Sequence, residues 1–115
     1  MKKSEINFRI SLDDKNIPTA IEWDATDKES EGMETTNSIS LNVWDNLNNS
    51  TLRIDLWTDK MSVVEMKRFY IDILGGMAQT IVNSTGDTYM SEEIKELCDR
   101  LVTHVNEENK KNAGQ

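Results

Sequence analysis

The stretch TLRIDLWTDKMSVVEMKRFYIDILGGMAQTI, residues 51–81, takes the chain from a strand directly into a helix. Its first part alternates apolar and polar residues, which is the pattern of a half-buried strand. Ser62 and Glu65 then have the spacing of a capping box, which marks the start of a helix. The stretch therefore predicts a sheet followed by helices, that is, an α+β fold.

Three earlier segments alternate in the same way and predict three more strands. The apolar positions of the four strands are Ile6, Phe8, Ile10 and Leu12; Ile17, Ile21 and Trp23; Ile39, Leu41 and Val43; and Leu52, Ile54 and Leu56. Polar turn residues, with an Asn48-Asn49 turn in the second pair, predict two hairpins in a single four-stranded antiparallel meander. In the expected register, Phe8 lies opposite Ile21 and Val43 lies opposite Ile54.

The C-terminal half of the sequence predicts two amphipathic helices. The first begins at Ser62 and ends at Gly86, and Ser91 is expected to cap the second. Apolar residues recur at helical spacing in both segments. The pair Gly75-Gly76 interrupts the first helix, and it is either a hinge or a place where the backbone packs closely against the sheet or the second helix.

This order of elements, β-β-β-β-α-α, predicts one two-layer domain over residues 1–105, with both helices packed on one face of the sheet. Residues 24–37 contain five acidic residues and one sizeable apolar side chain, Met33, and they predict a mobile acidic loop. The loop takes part in recognition or is a solvated insertion. Residues 106–115 predict a disordered C-terminal tail.

Composition restricts the classes of function. The formal net charge of −8 and a pI near 4.6 disfavour binding to nucleic acid or to anionic membranes. The longest apolar runs are far too short to cross a bilayer, so no direct membrane insertion is expected. No apolar segment follows the N-terminal lysines, which favours a cytoplasmic protein over a secreted one.

No group of residues predicts catalysis, a cofactor or a metal. His104 is the single histidine and has no second ligand at helical spacing, so it is expected to be a surface residue. Cys98 lies on an apolar helix stripe and is expected to be a small buried side chain without a general base. The sequence therefore predicts that the protein is not an enzyme.

The candidate protein-binding residues are two tryptophans, Trp44 and Trp57, together with Arg53 beside them and Met33 in the acidic loop. Trp44 and Trp57 lie out of phase with the apolar residues of their own strands, so they face outward beside Arg53. In the expected register Trp44 lies opposite Arg53, and Trp57 lies opposite Ser40. The alternative is a cation–π pair within the sheet, with Trp57 covered by the start of the first helix. A thin core and outward tryptophans favour a homodimer.

The segments TLRIDLWTDKM and SVVEMKRFYIDIL, together with SEINFRISLDDKNIP, IEWDATD and SISLNVWD, resemble the gliding motility-associated protein GldC family of the Bacteroidetes. The resemblance covers nearly the whole chain. It implies a small cytoplasmic accessory protein associated with gliding or with the linked secretion machinery, and it does not imply an enzyme. It supplies no catalytic residues.

A second interpretation rests on fold analogy alone. Four strands followed by two helices in an acidic chain are similar to SecB-like export chaperones. On that analogy, the free face of the sheet would bind extended, unfolded client proteins. A third interpretation, a carrier of small ligands between sheet and helices, is disfavoured because the bulky core residues fill that space.

Overall fold

In the computed structural model, which describes residues 2–113, five strands precede two helices. They are β1 (Ile6–Leu12), β2 (Pro18–Ala25), β3 (Glu34–Thr36), β4 (Ser38–Asp45), β5 (Ser50–Trp57), α1 (Val63–Thr85) and α2 (Thr88–Ala113). The predicted α+β class is confirmed. The chain divides into two compact units, one with the strands up to Met61 and one with the helices from Ser62. The packing of the helices on a sheet stays a prediction.

The strands form two small antiparallel sheets, so the prediction of a single four-stranded meander is wrong. One sheet has the order β1-β2-β3, and the other consists of β4 and β5. The additional strand β3 takes the place beside β2 that the meander would have given to β4. Between the two sheets, β2 and β5 are in contact.

A corner at Asn37 separates the two sheets, because this single residue lies between β3 and β4. The carbonyl of Asn37 accepts a hydrogen bond from the backbone N–H of Thr58, with an N···O distance of 2.9 Å. The Thr58 hydroxyl is 3.3 Å from Asn37 Oδ1, and Thr58 is buried. These bonds hold the chain away from β2 after Thr36, so β4 continues in a different sheet.

The predicted register of the first hairpin is wrong by two residues. Phe8 lies opposite Trp23 rather than Ile21, and Leu12 lies opposite Pro18. Because Ser11 pairs with Ala20, Thr19 is left without a pairing partner on β1, and the register shifts by one residue between Ser11 and Leu12, which is a β-bulge. The difference from the predicted register is an even number of positions, so the residues that share a face are the predicted ones.

The second hairpin differs from its predicted register by the same amount. Its turn comprises the four residues between Asp45 and Ser50, so Val43 lies opposite Leu52 rather than Ile54. The Asp45 side chain holds this turn by accepting hydrogen bonds from the backbone of Leu47 (2.9 Å) and Asn48 (3.3 Å). A hydrogen bond from the Asn48 side chain (2.9 Å), and to a lesser extent these two backbone bonds, lower the pKa of Asp45.

The acidic loop is shorter than predicted. Residues 24 and 25 complete β2, and residues 34–36 form β3, which leaves residues 26–33 as the connection. A three-residue strand is too short to show a periodic pattern, which is why the sequence did not predict it.

Helix α1 begins and ends where the sequence predicted. Ser62 and Glu65 form both hydrogen bonds of the capping box, and Gly86 adopts a left-handed conformation (φ 73°) after the last turn. The helix is continuous through Gly75 and Gly76. A Cβ atom added at either glycine would meet nothing within 4 Å, so close backbone packing against described residues does not explain the pair.

Helix α2 differs from the prediction at both ends. It begins at Thr88 rather than after Ser91, because the Asp87 side chain accepts a hydrogen bond (3.0 Å) from the N–H of Met90. It also runs through Ala113, where a disordered tail over 106–115 was predicted. Lys110 and Lys111 in its last turn favour helix because they lie at the negative end of the helix dipole. Residues 114 and 115 lie outside the described part.

The two helices form an antiparallel hairpin. Cys98 Sγ lies 4.0 Å from the carbonyl oxygen of Ile71. One heptad further along α1 is Ala78, and one heptad back along α2 is Ser91; both are buried, at the level where the helices approach the turn. Lys67 and Glu108 form an ion pair (2.8 Å) toward the open end of the hairpin.

Candidate protein-binding surface on the β4–β5 sheet

Both candidate tryptophans are exposed on the two-stranded sheet. Trp44 is 59% exposed and Trp57 is 52% exposed. Trp44 lies opposite Thr51, and Trp57 lies opposite Ser38, so the predicted partners Arg53 and Ser40 are wrong. The alternation of β5 still places Arg53 on the same face as both tryptophans.

The tryptophans lie at opposite ends of this face. Because Thr51 and Trp57 are six positions apart on β5, the two rings are separated by roughly 20 Å along the strands. Arg53 and Asp55 lie between them and form an ion pair of 3.1 Å. The alternative, a cation–π pair between Arg53 and a tryptophan of this sheet, is not found among the described residues, where Arg53 instead pairs with Asp55 and lies opposite Asn42.

A shallow groove lies beside Trp57. Its volume is about 210 Å³, and it is lined by Ile17, Pro18, Asp55, Leu56 and Trp57. The start of β2 supplies one wall and the end of β5 supplies the other. Proline at the start of β2 has no N–H group, so this wall presents an apolar surface to the groove.

The Asp55 carboxylate has one oxygen without a partner. Asp55 Oδ2 accepts a hydrogen bond from Arg53, whereas Oδ1 is buried and accepts none from the described residues. An unpaired buried acceptor is unfavourable. The groove therefore combines the Trp57 side chain with the carboxylate-bearing residue Asp55 in its lining.

The fourth candidate residue, Met33, lies in the acidic connection of residues 26–33, directly before β3, and not on β4 or β5. Its side chain is exposed.

Lys28 organises that connection, and the sequence analysis did not identify it. Its side chain is only 7% exposed although it lies in an acidic loop. The Nζ atom donates to the carbonyl oxygens of Ser30 (2.7 Å) and Gly32, and it forms ion pairs with Glu34 (3.4 Å) and Asp24 (3.7 Å). The signal in the sequence was a single lysine in this acidic segment, with Asp24 four residues before it and Glu34 six residues after it.

The charge on Glu34 is stabilised in the same cluster. The Ser30 hydroxyl donates a hydrogen bond to its carboxylate, and Lys28 lies beside it. These contacts, chiefly the bond from Ser30, lower the pKa of Glu34. The loop is therefore closed around an internal ammonium group.

Among residues 2–113, no group of three or more His, Cys, Asp or Glu side chains is arranged to hold a metal ion. His104 is exposed and lies 3.2 Å from Glu108, which agrees with its prediction as a surface residue. Cys98 is half-buried against α1. Neither described helix contains a stretch long and apolar enough to cross a membrane.

Comparison with known proteins identifies the family. The family model described as "Gliding motility-associated protein GldC-like" matches residues 18–107, which includes β2 to β5, α1 and most of α2. No curated protein and no solved structure was found to match the chain. The resemblance seen in the sequence is confirmed, and the chain belongs to the GldC-like family.

Proposed function

We propose that the protein is a cytoplasmic, non-enzymatic accessory protein that acts in gliding motility or in the secretion machinery linked to it, by binding another protein. Family membership supports the association with gliding. The face that carries Trp44 and Trp57 supports the binding role, because exposed tryptophans are the residue type most enriched at the energetic centres of protein interfaces.

The spacing of the two tryptophans suits an extended segment of the partner. A strand rises about 3.3 Å per residue, so roughly six residues of partner chain would span the distance between the two rings. Arg53 and Asp55 lie along that path and offer a donor and an acceptor. A compact ligand would reach only one end of this face.

The groove at Trp57 favours a basic side chain of the partner. An arginine or lysine placed there would lie against the indole ring of Trp57 and beside the negative charge of Asp55. The net charge of −8 also attracts a basic partner.

The test compares partner capture by the wild type and by a Trp44→Ser/Trp57→Ser variant in the native host. The matched control is Tyr89→Ser, which removes an aromatic side chain that is 73% exposed on α2. One dominant partner that is lost with the double variant and retained by the control supports the proposal. If the double variant loses its cooperative unfolding transition, the tryptophans stabilise the fold instead.

The alternative is a chaperone of the SecB kind. The opposite face of the β4–β5 sheet is also apolar and exposed, at Val43, Leu52 and Ile54. A two-stranded sheet with exposed apolar groups on both faces would suit unfolded clients of many sequences. The same capture experiment distinguishes the two functions, because a chaperone would retain a broad range of exported proteins.

A further inference from the structure

We propose that two copies of the chain associate by pairing their β1 strands edge to edge, in antiparallel orientation, with the twofold axis at Phe8. Each three-stranded sheet then becomes half of a continuous six-stranded sheet. The surface with Trp44 and Trp57 lies on the other sheet and takes no part. The proposal therefore does not depend on the proposed function.

The direction of the free hydrogen-bonding groups follows from the contact of Glu5 with Thr26. The Glu5 carbonyl accepts a hydrogen bond from Thr26 N–H, with an N···O distance of 3.0 Å. This bond makes the pair a hydrogen-bonded one, and hydrogen-bonded pairs recur at every second residue. The backbone N–H and C=O groups of Asn7 and Arg9 therefore point to β2, whereas those of Ile6, Phe8 and Ile10 point to the outer edge.

This edge has the features of a strand that pairs. Within residues 2–113, β2 is the only strand that pairs with β1. The stretch from Ile6 to Ile10 contains no proline, and the only irregularity of β1 is the bulge at Ser11/Leu12. Ile6 is 68% exposed. Soluble proteins generally protect such edges with prolines, bulges or inward-facing charges. The stretch from Ile6 to Ile10 has neither a proline nor a bulge, so it can serve as a template for another strand.

A second copy of the chain fits this edge with the twofold axis at Phe8. With the axis at Phe8, the outward backbone groups of Ile6 meet those of Ile10 of the second copy, so every free group on this stretch is paired. Asn7 then lies opposite Arg9 of the second copy. An axis at Arg9 would place two positive charges directly opposite each other, which is unfavourable.

A disulfide trap tests this register in the full-length chain. In a Cys98→Ala background, Asn7→Cys and Arg9→Cys are combined in one chain. The two positions form a non-hydrogen-bonded pair across the axis, with an expected Cα separation of about 4.5 Å, which a disulfide spans. Oxidation should convert most of the protein to a covalent dimer. The matched control, Asn7→Cys with Ser11→Cys, places no two cysteines opposite each other and should stay uncrosslinked.

Light scattering on the wild type and on Phe8→Lys gives the second measurement. The wild type should have the mass of a dimer, and Phe8→Lys should have that of a monomer, since it sets two ammonium groups opposite each other. If Phe8→Lys fails to fold, the disulfide trap still decides. A wild type that is monomeric at every concentration overturns the proposal, and so does a dimer that the trap cannot link.

Discussion

The ammonium group of Lys28 lies 5.7 Å from the centre of the Trp23 ring, and the loop of residues 26–33 closes over it. Trp23 belongs to β2 and pairs with Glu34 of β3, so the ion pair between Lys28 and Glu34 joins the loop to the strands on both sides. A single buried cation thus determines the path of the most acidic part of the chain.

Replacing Lys28 with Met should loosen this loop. The substitution removes the hydrogen bonds to Ser30 and Gly32 and leaves Asp24 and Glu34 without their cation. We expect a loss of about 1–3 kcal/mol in the free energy of unfolding. Urea unfolding measures the loss, and hydrogen exchange should show faster exchange within residues 26–33.

Lys15→Met is the matched control for this prediction. Lys15 is exposed in the turn between β1 and β2, so its loss changes the net charge by the same amount without removing a buried contact. An equal loss of stability in both variants would show that net charge, rather than the Lys28 cluster, is responsible.

Replacing Gly75 and Gly76 with Ala should stabilise the protein. Both positions are helical, and an added Cβ atom meets nothing within 4 Å. Each substitution should raise the free energy of unfolding by roughly 1 kcal/mol, because alanine loses less backbone entropy in a helix. Thermal unfolding of the double variant measures the gain.

Gly86→Ala should act in the opposite direction. Gly86 has φ 73°, which is costly for a residue with a Cβ atom, so we expect a loss of about 1–2 kcal/mol. If the Gly75/Gly76 variant is destabilised as well, a close contact or a hinge at that pair is needed for the fold.

Replacing Ser91 with Ala should raise stability. Ser91 is buried, and its hydroxyl has no hydrogen-bond partner among the described residues. Removing an unsatisfied polar group should gain about 1 kcal/mol in the free energy of unfolding. Ser84→Ala is the control: it brings the same gain in helix propensity but removes an exposed hydroxyl that donates to the Thr80 carbonyl, so it should gain less stability than Ser91→Ala.

Stability should fall in acid because of Glu108. The hydrogen bond from Lys67 lowers the pKa of Glu108, and the positive charges of Lys67, His104 and Lys111 act in the same direction. A carboxyl group with a lowered pKa in the folded state stabilises above its ordinary pKa of 4.5, and this stabilisation is lost as pH falls through the folded value.

The measurement is the melting temperature from pH 7 down to pH 3, for the wild type and for Glu108→Gln. The variant should melt lower at pH 7 and show a smaller decrease in acid. Glu107→Gln, at the exposed neighbouring position, should follow the wild type. Parallel curves for the wild type and Glu108→Gln would contradict the assignment.

The sequence predicted which residues share a face but not which residues lie opposite each other. Alternation is a local property, so it identified both faces of β1 and β5. Register depends on turn geometry. Asn16 adopts a positive φ of 62°, and the Asp13 side chain accepts hydrogen bonds from the backbone of Lys15 and Ile17. This turn moves the closing pair by one residue, and the bulge after Ser11 adds another.

The candidate surface was predictable in the same limited sense. A tryptophan out of phase with its strand has to point outward, and both Trp44 and Trp57 do. Their separation, the lone oxygen of Asp55 and the groove beside Pro18 depend on register and on the corner at Asn37. Those features come from contacts between distant residues, which a periodic pattern does not contain.

The heptad spacing of the helical hairpin has a consequence for how its length can change. Ile71 and Cys98 are in contact across the hairpin, and Ala78 and Ser91, seven residues from them toward the turn, are both buried. Inserting seven residues into α1 and seven into α2 at matching levels would therefore keep the two apolar stripes facing each other, to within about 20° of rotation in each helix. An insertion of two or five residues into one helix would rotate its apolar stripe away from the interface, because each residue turns the helix by about 100°. Relatives with longer or shorter hairpins are thus expected to differ by paired steps of whole helical turns.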